Sequence, residues 1–125
     1  MWGIVSSLPE HRLCWTINKA FDWRFKRADD VEMYIPTLGA SILFPYFKYD
    51  IEEDHYSLEL IRNKSTGAFL LPELKNVDFL FLVKGETDFF MECDFSRYLM
   101  KVPGVQHVLE LDPEKLKSRH NLILE

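Results

Sequence analysis

The chain has 125 residues, 47% of them hydrophobic and 28% charged, with a formal net charge of −5. That length suits a single domain, residues 1–125, which buries roughly two-thirds of its unfolded surface and needs no disulfide or metal staple. An acidic chain lacks the basic footprint that nucleic acid requires: Arg24, Lys26 and Arg27 are offset by Asp22, Asp29 and Asp30.

The first element starts at Ser7-Leu8-Pro9-Glu10, a capping-box pattern with proline suited to a first turn. Leu13, Ile17, Ala20 and Phe21 follow at helical spacing with Cys14 beside them, predicting a helix over Leu8–Phe21. Trp15 falls off that stripe, about 200° from Leu13.

Trp23 to Arg27 alternates apolar and charged, the pattern of a strand with one wet face. The stretch from Asp29 to Gly39, with Asp29-Asp30 and Pro36, reads as mostly loop. Ile42 to Tyr49 is rich in β-branched and aromatic residues, and Pro45 within it argues for an edge position or a break. Tyr56 to Leu60 alternates again, giving a hairpin through the acidic residues Asp50, Glu52, Glu53 and Asp54, which read as a solvated tip. Phe69-Leu70-Leu71 is a short strand closed by Pro72.

Phe79 to Val83 has no polar face and must be covered on both sides. It is also the longest purely apolar run, far short of a membrane span. Met91, Phe95, Tyr98, Leu99 and Val102 predict a second amphipathic helix with Asp88 as its N-cap, stopped by Pro103-Gly104. Val105, His107, Leu109 and Leu111 alternate as a last strand, placing His107 on the inner face. Asp112-Pro113-Glu114 starts a short final helix. The expected fold is therefore α+β: a two-layer sandwich with a largely antiparallel sheet of five or six strands and two main helices on one face. The unit from Asp78 to Leu111 is a candidate strand–helix–strand crossover with parallel strands.

The segment Leu71-Pro72-Glu73-Leu74-Lys75-Asn76-Val77-Asp78-Phe79 resembles the signature of the IPExxxVDY family, a bacterial family of small proteins named for this motif. Leu71 stands for its isoleucine and Phe79 for its tyrosine. The resemblance extends to the helix from Arg12 to Lys19, to Val102-Pro103-Gly104-Val105 and to Leu111 to Leu116, most of the chain. It implies a bacterial cytoplasmic protein and assigns no activity, cofactor or catalytic residue.

Within the motif, Glu73 and Asp78 have two readings. They cap exposed N–H groups at a turn, or they form a carboxylate pair in a ligand site. No other set of residues carries catalytic chemistry, no phosphate-cradling glycine loop is present, and no cofactor is expected. Cys14, Cys93, His11, His55, His107 and His120 lack metal-ligand spacing, so no metal is expected. The N-terminal residues lack a signal-peptide pattern, and two free thiols suit a cytoplasmic setting.

The aromatic load remains: ten Phe, five Tyr and three Trp. Trp15 and the run Phe44-Pro45-Tyr46-Phe47 are interface candidates, since Trp and Tyr favour interfaces and a proline-marked edge invites strand addition. The expectation is a non-enzymatic interaction module that binds another protein or itself, with a homodimer as one form and no membrane or nucleic-acid partner. The alternative is a small-molecule-binding regulatory domain with its site near Glu73 and Asp78. An enzyme using those two carboxylates as acid and base ranks third.

Overall fold

The computed structural model describes residues 1–51, 56–85, 94–118 and 121. In chain order the elements are β1 (Trp2–Ser6), α1 (Glu10–Phe21), β2 (Lys26–Ile35), β3 (Ala40–Ile51), β4 (Tyr56–Arg62), β5 (Lys64–Ser65), β6 (Ala68–Phe69), β7 (Phe79–Gly85), α2 (Phe95–Met100) and β8 (Val105–Glu110). A 3₁₀ turn, Pro113–Lys115, follows, with Asp112 accepting from the Glu114 N–H at 3.1 Å as its cap. Six strands form one sheet in the order β2-β3-β4-β7-β1-β8, with every neighbouring pair antiparallel. β5 and β6 form a separate small ribbon. The α+β architecture is thus as expected, with the sheet dominant. β7 and β8 run parallel, as a crossover through α2 requires, but β1 lies between them.

Alternation along β7 builds both cores. Phe79 and Phe81 face the helices, where they meet Leu13, Ile17, Phe95 and Leu99. Leu80 and Leu82 face the other way into a second cluster with Phe44, Ile61, Leu70, Leu71 and Val77. The second face is covered by irregular chain from the β5–β6 ribbon through Val77 and by Leu111 and Leu116. Both faces of the Phe79–Val83 run are therefore dry, as its composition demanded.

Several local expectations are corrected. β1 is a strand at the inside of the sheet, a position its sequence did not announce because Gly3 interrupts it. A side chain at Gly3 would begin 3.0 Å from Val77 Cγ1 and 3.1 Å from Leu111 Cδ1, so the second face closes on bare backbone there. The segment from Asp29 is strand as far as Ile35, and only Pro36 to Gly39 makes the turn. β2–β3 register shifts between Ala28 and Val31, a bulge that sets Asp29-Asp30 opposite Pro45. On its other side β3 pairs with β4 only from Tyr46 onward. Pro45 thus needs no N–H partner on either side, and β3 is an interior strand rather than an edge.

α1 begins at Glu10 after an extended Pro9 with no side-chain cap bond, so the Ser7 box is not formed. Ser6 takes over part of that role, its hydroxyl accepting from the Leu8 N–H at 3.2 Å. His107 is exposed: the register shift between Val5 and Ser6 puts Val108, not His107, on the helix face. Asp88, Met91 and Cys93, expected in the second helix, lie outside the described residues, as do Glu52, Glu53, Asp54, His55 and His120.

Candidate functional site

The Leu71–Asp78 motif is wound around one side chain. Asn63, fully buried just past β4, donates through Nδ2 to the carbonyls of Leu74 and Val77, each at 2.9 Å. Its Oδ1 accepts from the Leu71 N–H at 2.8 Å. Its backbone N–H bonds to Asp78 O and its carbonyl to Leu70 N, both at 2.8 Å. The amide therefore meets three inward-facing backbone groups of a turn that has no regular ladder to satisfy them.

Glu73 and Asp78 leave this turn toward different partners. Glu73 accepts from the Ser118 hydroxyl and from the Ser118 N–H at 3.2 Å, pinning the C-terminal segment. Those bonds, the Ser118 hydroxyl first, hold its carboxyl below the ordinary glutamate value of 4.5. A depressed carboxyl stabilises the fold above its unfolded pKa and loses that contribution as pH falls through its folded pKa. Titrating the Ser118 amide by NMR should therefore give a midpoint below 4.5, the ordinary value. In Glu73→Gln that acid-side transition should vanish, and its persistence would remove the assignment.

Asp78 accepts from the Ser6 N–H at 2.9 Å through Oδ2 and pairs with Lys64 Nζ at 2.9 Å through Oδ1. The two carboxylates share no partner: Glu73 is fastened to Ser118 and Asp78 to Ser6 and Lys64, distant elements of the fold rather than the N–H groups of their own turn that the sequence suggested.

From Asp78 the bonds continue outward. Ser6 Oγ donates to Gly104 O at 2.7 Å while accepting from Leu8 N. Gly104 has φ of 90°, and a Cβ there would fall 2.3 Å from Leu8 Cδ1. Glycine is required twice over, by backbone and by space. This chain of contacts fixes Leu8 and Pro103-Gly104 as the wall of a groove of about 490 Å³ alongside α1.

The opposite wall is the outward face of α1. Trp15 is 52% exposed. The Arg12 guanidinium lies 5.1 Å from its ring centroid and the Lys19 ammonium 4.9 Å. Positions 12, 15 and 19 share one helical face, so α1 itself sets the two cations over the indole. Thr16 and Ala20 complete the floor, giving a largely apolar trough with cations at its rim. Among the described residues neither Arg12 nor Lys19 enters an ion pair, and each of these two groove cations instead lies over the Trp15 ring.

The other interface candidates sit inside the protein. Phe44 and Tyr46 are buried in the second cluster, and Phe47 in the helix-side core beneath the Arg27 guanidinium. Tyr46 lies near Glu59, a buried carboxylate whose Oε1 pairs with Lys84 at 3.1 Å. Burial first, and the Glu59 carboxylate next, push the Tyr46 hydroxyl well above its ordinary pKa.

Cys14 is buried and its thiol is pushed up to about 11 by burial, which suits packing and not nucleophilic chemistry. No group of three or more His, Cys, Asp or Glu side chains gathers to hold a metal among the described residues. No helix among them is long and apolar enough to cross a membrane.

A larger cleft of about 690 Å³ lies between the start of α1 and the β5–β6 ribbon. Its cations are already matched, Arg62 to Glu10 at 3.0 Å and Lys64 to Asp78.

Helical phase alone marked Trp15. The signal for Arg12 and Lys19 was also present, as cations three residues before and four after an off-stripe tryptophan. Leu8 and Gly104 gave none, since only tertiary folding joins them. Compared with family models, curated proteins and solved structures, the chain matches none.

Proposed function

We propose that the protein is a non-enzymatic interaction module that engages another protein through the outward face of α1, centred on Trp15. One observation carries this reading: a half-exposed tryptophan held under two cations that make no ion pair among the described residues, beside a groove whose far wall is fixed by hydrogen bonds. Tryptophan and arginine dominate binding energy where they can be desolvated together. The resemblance to the IPExxxVDY family supports a bacterial cytoplasmic setting.

Trp15→Ala is the test. Exposed as it is, its loss should move the unfolding free energy by no more than about 0.5 kcal/mol. Association should nevertheless be lost. Light scattering across a dilution series reads self-association, and co-purification from the source cells reads a heterologous partner. A monomer whose co-purifying proteins are the same in wild type and Trp15→Ala would sink the proposal.

The second reading, a small-molecule regulatory domain, draws on the 690 Å³ cleft, because Asp78 reaches it through Lys64. It ranks lower because the cleft's basic groups are already neutralised. Glu73 does not line that cleft.

A further inference from the structure

We infer that the Trp15 groove receives an acidic peptide segment carrying a large apolar anchor, an assignment that rests on the interaction-module reading. The argument is one of charge and spacing. The chain as a whole carries a net charge of −5. Arg12 and Lys19 nevertheless stand together at the rim of an apolar trough, over one exposed indole and without ion pairs among the described residues.

The Cα atoms of Arg12 and Lys19 are about 10 Å apart along the helix axis, and with the guanidinium 5.1 Å and the ammonium 4.9 Å from the indole centroid the two charges lie no farther apart than that. They frame Trp15, which covers the space between them. A ligand complementary to that frame places two carboxylates on one face with an apolar side chain between them, at i and i+4 of an extended segment, whose alternate residues share a face, or at i and i+7 of a helix. The apolar side chain lies against Trp15 and Leu8, and its carboxylates take the guanidinium and ammonium that the indole leaves open at the rim.

Nucleic acid fits less well. A polyphosphate backbone would meet only two cations in a field that is otherwise negative. A second copy of this chain would bring the same pair of cations to a self-complementary interface, where they repel.

The groove is also preformed. The Ser6 hydroxyl bridges Leu8 and Gly104, and Asp78 holds the Ser6 N–H in turn. A segment binding there orders itself without reorganising its receptor.

The test is selection of phage-displayed random dodecapeptides on the immobilised full chain. Anisotropy titration of the labelled winners against wild type, Trp15→Ala and the double variant Arg12→Glu/Lys19→Glu follows. All three substitutions are at exposed positions, and an unchanged far-ultraviolet circular dichroism spectrum and melting temperature check the fold.

Enriched peptides should carry net negative charge and a large apolar residue, and bind more weakly in high salt. Each variant should weaken them by about tenfold or more. Lysine-for-acid versions of the same peptides should bind the double variant better than wild type. Neutral or basic winners, or winners that bind Trp15→Ala as well as wild type, would overturn the inference, as would a Trp15-dependent dimer in light scattering. If the selection fails while co-purification still reports a Trp15-dependent partner, this inference falls and the interaction reading stands. If neither depends on Trp15, both fall.

Discussion

Asn63→Ala is expected to destabilise the protein by about 2–5 kcal/mol, because it strands two buried backbone groups at roughly 1–3 kcal/mol each. Those groups are Leu71 N and Val77 O, while Leu74 O, the third group that Asn63 meets, keeps the Val77 N–H at 3.1 Å. The sharper variant is Asn63→Asp. It keeps the volume and the acceptor for Leu71 N but replaces two donated bonds by a carboxylate facing two carbonyls. It should be at least as damaging as alanine. Equilibrium denaturation reads both, and an Asn63→Asp midpoint equal to wild type would show that Asn63 only fills space. The consequence reaches the surface as well. The turn that Asn63 organises ends at Asp78, and Asp78 holds Ser6 and through it the groove wall. Either variant should therefore loosen the groove at temperatures where the sheet is still folded.

Phe81→Ala should cost about 4 kcal/mol, the usual range for removing a fully buried phenylalanine. Phe81 is the hub of the helix-side core. Its ring lies 6.1 Å from Trp2, 5.9 Å from Trp23, 6.0 Å from Phe25 and 5.2 Å from Phe95. Edge, tilted and stacked packings of this kind add to the burial term. For a chain of this length the loss lowers the melting temperature by on the order of 15 °C. Because Trp2 and Trp23 both rest on Phe81, their near-ultraviolet circular dichroism should weaken in the variant even before it melts. Phe81→Leu retains most of the volume and should cost about 1.5 kcal/mol. Equal melting temperatures for the alanine and leucine variants would show that the ring cluster is not a packed unit.

What the sequence made legible were the elements whose pattern is local. The 3.6-residue stripe of Leu13, Ile17 and Phe21 marked α1, and the same stripe put Trp15 on the outside. The unbroken Phe79–Val83 run announced a strand dry on both faces. Asp112-Pro113 announced its turn. The failures share a cause: each depends on a neighbour distant in the chain. β2 looked like loop past Asp29 because Asp29-Asp30, which form the bulge opposite Pro45, and Pro36 outweighed the alternation of Val31, Met33 and Ile35, whose side chains do pack on the second cluster. β1 looked like nothing because Gly3 is explained by Val77 and Leu111, more than seventy residues away. Phe44, Tyr46 and Phe47 resembled an interface because the second sheet face, with its irregular cover, has no signature of its own. At the site, the cations beside Trp15 were readable from spacing. The groove wall was not, since it exists only where Ser6 meets Gly104.

The order of strands in the sheet is out of step with the order in which the ribosome makes them. β1 is synthesised before any other element here, yet its neighbours are β7 and β8, the last two strands. The hairpins β2–β3 and β3–β4 close locally as they emerge, while Trp2 and Ile4 must wait for Phe79–Phe81 and then for Val105–Glu110. Pairing across so long a stretch is slow, and it leaves an apolar strand uncovered until β7 and β8 have been made. The nascent chain therefore passes through a stage in which half of the sheet is assembled and its first strand is exposed, the stage at which a chaperone or an aggregating neighbour would meet it.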